Sequence, residues 1–142
     1  MKKTLILFTL VASLLSCKQN EIELQHLNGY WEISKAESPN GKVKEFPMNE
    51  NVEYFELKDS TGIRKKVRPQ YSGKFKTSKN AETFTLQQKG EKLTIHYMTP
   101  YDEWDEQVLM LSAEKFVVKN KNGSIYTYTP YTGFKTFENE EE

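Results

Sequence analysis

From Leu27 onward, apolar and polar residues alternate in short stretches that turn residues interrupt. Trp31 and Ile33 alternate with Tyr30, Glu32 and Ser34, and Phe55 and Leu57 with Tyr54 and Glu56. Phe84 and Leu86 alternate with Thr83, Thr85 and Gln87, and Leu93, Ile95 and Tyr97 with Thr94, His96 and Met98. Further runs at 107–111, 116–118 and 125–128 are rich in β-branched and aromatic residues. A period of two with such residues reads as strands that have one wet face. Asp59-Ser60-Thr61-Gly62, Lys89-Gly90 and Lys121-Asn122-Gly123 carry hairpin-turn chemistry, and Pro69 bends or splits a strand. The pattern predicts eight or nine short strands and no amphipathic helix beyond a turn or two. Short connections favour a single up-and-down antiparallel β-barrel, whose closure removes exposed edges. A β-sandwich is the alternative.

The first strand sets the frame. Gly29 permits a sharp start, and Trp31 and Ile33 then share a face, so Trp31 is expected to plug one end of the core. Trp31, Phe55, Phe75, Phe84, Tyr97 and Phe116 are the large inward candidates, and the last five are the expected ligand-lining residues. An eight-stranded barrel is filled by side chains or holds one small ligand. If these rings leave a void, the lumen binds a small hydrophobic molecule; if they fill it, the outside or the loops bind a partner. Residues 38–51 are long for a hairpin and carry Phe46 and Met48, which makes them either a lid or a plug.

The N-terminus changes the picture of where the chain works. Lys2 and Lys3 precede an apolar run at 5–15, too short for the ~20 residues that span a bilayer. The run ends in Leu14-Leu15-Ser16-Cys17, which resembles the lipobox of bacterial lipoproteins. That resemblance implies a signal peptide at 1–16, acylation (palmitate or a similar chain) on Cys17, and a lipid anchor in the membrane of the cell envelope, at the outer membrane. An ordinary secretory signal with a chance Cys is the alternative. Cys17 is the only cysteine, so it has no disulfide partner. Residues 17–26 form a polar tether, 27–134 the barrel, and 135–142 an acidic, disordered tail. The charged tether also resembles the export signals of surface lipoproteins in the Bacteroidetes, which leaves open the side of the membrane on which the domain sits. The chain has 20 basic and 20 acidic residues, a balance that does not steer nucleic acid.

Candidate chemistry is sparse. His26 lies in the tether, and alternation turns His96 to solvent. No His pair has ligand spacing, and neither a phosphate loop nor a nucleophile elbow is present, so no catalysis, cofactor or metal is expected. Asp102, Glu103, Asp105 and Glu106 around Trp104 could offer oxygens to a hard cation, but read more simply as a solvated loop leading into a strand. Arg64-Lys65-Lys66-Val67-Arg68 could meet anionic headgroups, but read more simply as the wet face of a strand, opposite Ile63 and Val67.

Leu27-Asn28-Gly29-Tyr30-Trp31-Glu32-Ile33 resembles the Gly-x-Trp motif that opens the first strand of lipocalins. The whole arrangement, with Leu111-Ser112 and Asn120 to Gly123 before a Tyr-rich strand, resembles the lipocalin-like domain of small Bacteroidetes lipoproteins. Lipocalins stack an Arg from the last strand on the motif's Trp, and the 124–131 stretch here has tyrosines instead. The resemblance implies a barrel that binds a small hydrophobic ligand. The competing reading is a non-enzymatic envelope module that binds or inhibits a protein partner. Replacing the anchor residue, Cys17→Ala, should move the protein from the membrane fraction to the soluble fraction; unchanged membrane retention would refute the anchor.

Overall fold

A computed structural model describes residues 22–77 and 79–134, so Cys17, the signal segment and the acidic tail lie outside the described residues. Ten strands follow a short 3₁₀ turn at Leu24–Leu27: β1 (Gly29–Glu37), β2 (Val43–Glu45), β3 (Val52–Lys58), β4 (Thr61–Pro69), β5 (Phe75–Thr77), β6 (Glu82–Lys89), β7 (Lys92–Met98), β8 (Glu103–Leu111), β9 (Phe116–Asn120) and β10 (Ile125–Pro130). Eight of them, all but β2 and β5, pair antiparallel with their neighbours, and β10 pairs with β1 to close the barrel. β2 adds to the second half of β1, and β5 to the end of β4.

The strands form where alternation predicts them. In β7, Leu93, Ile95 and Tyr97 are buried while Thr94 and His96 are half-buried on the other face. Gly29 starts β1 at φ 119°, a conformation that a side chain rarely adopts. Gly62 is needed for space instead. The Phe84 ring stands where its Cβ would be, with Cζ 2.5 Å from that point. Register shifts in β1 between Ile33 and Lys35, and in β8 between Val108 and Met110, mark bulges of the kind that bend a sheet toward closure.

One end of the lumen is packed solid. Leu27, Trp31, Phe55, Phe84, Leu93, Leu111 and Phe116 form a continuous buried cluster. Phe55 meets Phe116 edge-to-face at 5.6 Å and Phe84 at 6.1 Å, and Trp31 meets Phe116 at 5.7 Å. Trp31 Nε1 donates to the Leu27 carbonyl at 3.0 Å, which ties the 3₁₀ turn under the barrel. The docked segment starts before Leu27: Ile22 bridges Leu111, and the Glu23 amide donates to the Leu111 carbonyl at 2.9 Å. Trp31 is thus the expected end plug, held by a backbone carbonyl and Phe116.

Two expectations about facing are corrected. Phe75 does not enter the lumen; it sits on β5, off the barrel path, and stacks on the ring of the partly exposed Tyr30 at 4.2 Å. In the first half of β4 the faces are reversed, since Arg64 pairs with inward Phe55 and Ile63 takes the outer side, whereas Val67 is buried and Lys66 and Arg68 are exposed as expected. Residues 38–51 fold back as β2, where Phe46 is half-buried and Met48 is exposed. The Asn49 side chain donates to the Ile33 carbonyl at 2.7 Å, so this segment is pinned to the barrel wall. Gly62→Ala should cost about 1–3 kcal/mol of unfolding free energy in a urea titration, because the new methyl meets Phe84 and the Glu56 carbonyl. A change near zero would show that Phe84 does not hold that place.

Candidate functional site: the barrel mouth

Above the packed end the lumen becomes polar. Successive inward positions of six strands bring Glu53 (β3), Arg64 (β4), Glu82 (β6), Tyr97 (β7), Trp104 and Glu106 (β8) and Tyr126 and Tyr128 (β10) to the same end. Arg64 is at the centre. Its side chain is 13% exposed, its Nε donates to Glu82 at 2.5 Å, and its Nη1 lies 3.9 Å from Glu106. The guanidinium carbon stands 4.2 Å from the centre of the Tyr97 ring and 5.6 Å from that of Trp104. Tyr97 and Trp104 stack on each other at 5.2 Å. A buried charge in this position needs both ion pairing and a polarisable surface, and β6, β7 and β8 supply them.

The electrostatics follow from burial. Withdrawal from water raises the carboxyl pKa of Glu106 and of Glu53, and the Arg64 charge offsets part of that rise in each. Burial works against the Arg64 charge, but Tyr97, the Glu82 hydrogen bond and Glu53 hold its pKa above the ordinary range. Burial, then the Glu106 charge, pushes the Tyr97 and Tyr128 phenols up. The Tyr97 hydroxyl is fully buried without a hydrogen bond of normal geometry, yet it stands close enough to Glu106 to favour the carboxylate there.

Beside this cluster is a recess of about 480 Å³ lined by Ile33, Glu53, Arg64, Trp104, Asp105, Glu106, Asn120, Tyr126 and Tyr128 together with the Lys121–Asn122 turn. It lies within the 300–1,000 Å³ span of small-molecule sites. A larger groove of about 780 Å³ runs along the outer wall between Phe46 and Pro47 and the strand residues Leu109, Met110, Val117 and Ile125.

Of the five expected lining residues, Phe55, Phe84, Tyr97 and Phe116 do face the lumen, but Phe55, Phe84 and Phe116 pack the closed end. Only Tyr97 reaches the polar cluster, and Phe75 is outside. Gly29 and Trp31 belong to the closed end. The acidic stretch at 102–106 is divided by strand alternation: Glu106 turns inward, while Asp105 faces outward and bonds His96 at 2.7 Å. Sequence reasoning did not raise Glu53, Glu82, Tyr126 or Tyr128 as site residues, and it read Arg64 and Glu106 as solvated. Their signal was parity: Glu106 shares a face with Trp104 and Val108, and Arg64 shares one with Gly62.

Residues 27–118 match the family described as a lipocalin-like domain. A lipocalin-like protein from Bacteroides uniformis ATCC 8492 superposes with a TM-score of 0.48 at 11% identity, over 75% of this chain and 99% of that one. A redesigned β-barrel superposes with a TM-score of 0.38 at 17% identity, over 74% and 90% of the two chains. No curated protein matches the sequence.

Proposed function

Since the chain belongs to the lipocalin-like domain family, we propose that it is a non-enzymatic binding protein that takes a small molecule into the mouth of its barrel. The fold is a ligand-binding type of barrel, and the observation that carries the reading is the division of the lumen. One half is filled by aromatic rings, while the other opens into a recess of about 480 Å³ with Trp104, Tyr126 and Tyr128 in its wall. A long lipophile has no room at the packed end. The ligand is therefore small, with an apolar part against Ile33 and the aromatic rings and a polar part toward Arg64 and Glu106. With Cys17 acylated, as its lipobox-like setting supports, the binder works from the outer membrane, where it holds or passes on its ligand.

An interaction module with its partner outside the barrel is the second reading, and the apolar groove beside Phe46 and Leu109 favours it. Native mass spectrometry of gently extracted full-length protein separates the two. The first reading predicts a small-molecule adduct, and a hydrophobic fluorescent probe whose emission rises once the adduct has been removed. Repeated recovery of bare protein with no probe response, alongside a stable crosslinked protein partner from intact cells, would overturn it in favour of the second.

A further inference from the structure

We propose that the group recognised in the mouth is a cation, so that the barrel takes a small organic amine with an apolar or aromatic body. The inference rests on the reading of the mouth as a small-molecule site and names the class of ligand. Three carboxylates from three strands, Glu53, Glu82 and Glu106, enter the lumen around the single guanidinium of Arg64. The rim offers little more positive charge. Lys66 approaches Glu53 only to 4.0 Å, with its side chain 65% exposed, and Lys121, from the exposed β9–β10 turn, lines the recess together with the acidic Asp105. Inside the mouth acid therefore exceeds base.

Arg64 is not free to receive an acidic ligand. Its Nε is bound to Glu82, its Nη1 is turned toward Glu106, and its flat face is covered by Tyr97 and Trp104. A fatty-acid carboxylate would arrive as a fourth negative group in a half-dry site, where like charges repel most strongly. An ammonium meets the opposite situation. It brings two or three N–H donors and no acceptor, against carboxylate oxygens and the face of an aromatic ring.

A second observation points the same way. The Tyr97 hydroxyl, fully buried without a hydrogen bond of ordinary geometry, stands close enough to Glu106 to favour that group's charged form. An ammonium seated on Glu106, which lines the recess, meets a carboxyl that this hydroxyl and Arg64 both help to keep charged. A metal ion fits less well: among the described residues no three His, Cys, Asp or Glu side chains converge closely enough to hold one. An amine needs no such convergence, because its nitrogen and its carbon skeleton can span the recess.

The charge balance also gives a pH signature. Glu53 faces Arg64 and Lys66 of β4 and Glu82 of β6, and Glu106 faces Arg64, Tyr97, Glu53 and Glu82, with Tyr128 nearby. Burial raises both carboxyl pKa values, so acidification neutralises them early and weakens amine binding first.

The test is titration calorimetry of detergent-solubilised full-length protein with three probes of matched size: 2-phenylethylamine, 2-phenylethanol and 3-phenylpropionate. The amine should bind at least about tenfold more tightly than the alcohol, with the acid weakest, and the amine's advantage should shrink toward mildly acidic pH. Glu106→Gln should cut the amine-over-alcohol ratio to below about threefold. Glu82→Gln, at a more exposed position, should shift the ratio in the same direction if the first variant folds poorly. Equal binding of amine and alcohol, tightest binding of the acid, or a ratio that survives both substitutions would overturn the cation while leaving the mouth as a binding site. Binding of none of the three would overturn both.

Discussion

A guanidinium inside an eight-stranded barrel has to be compensated from several directions at once, and the upper half of this lumen is arranged around that requirement. Arg64 cannot shed its proton, and withdrawing it from water unpaired costs more than a small domain has to spare. Glu82 and Glu106 supply counter-charge from β6 and β8, while Tyr97 and Trp104 supply aromatic faces. These residues act together only if β4, β6, β7 and β8 keep their register. Slipping any one strand by a residue would turn its contribution outward. The ion cluster thus fixes strand order at the mouth in the way that ring packing fixes it at the closed end.

The two ends divide the work. At the closed end Trp31 gives its indole N–H to Leu27 and its ring edge to Phe116, so the 3₁₀ turn, β1 and β9 share one contact set. The last strand has no arginine to stack on Trp31, and Phe116, itself packed against Tyr128, takes that place. The lumen's arginine lies at the other end and stacks on different rings. Ring packing therefore concentrates below, and the buried charges and the recess lie above.

The barrel was legible because alternation is a local signal. β7 shows it fully, and the hairpin turns at Asp59 and Gly90 mark the strand ends with residues that adopt positive φ. The site was much less legible. An inward charge breaks the rule that polar residues mark the wet face, so Arg64 read as solvated, and the first half of β4 was inverted with it. The acidic stretch at 102–106 read as one cluster because sequence proximity hides the side-to-side alternation that separates Glu106 from Asp105. Phe75 read as core because an aromatic ring next to a strand usually is; only the placement of β5 outside the barrel path shows that it belongs to the Tyr30 stack. Pairing across strands, which decides all three cases, is not written in local order.

Whether Arg64 holds the mouth together can be measured by removing its charge while keeping its volume. Arg64→Met, compared with the parent chain by urea denaturation, should lower stability near neutral pH by about 3–5 kcal/mol, the usual cost of leaving buried charges unopposed. Burial holds the carboxyl pKa values of Glu53 and Glu106 above their unfolded values, and loss of Arg64 removes the group that lowers them. Protonation therefore favours the folded variant, and the deficit should shrink as pH falls through their raised range and return as pH rises. A loss below about 1 kcal/mol near neutral pH, as for a surface ion pair, or a larger loss that stays constant with pH, would contradict the central place given to Arg64.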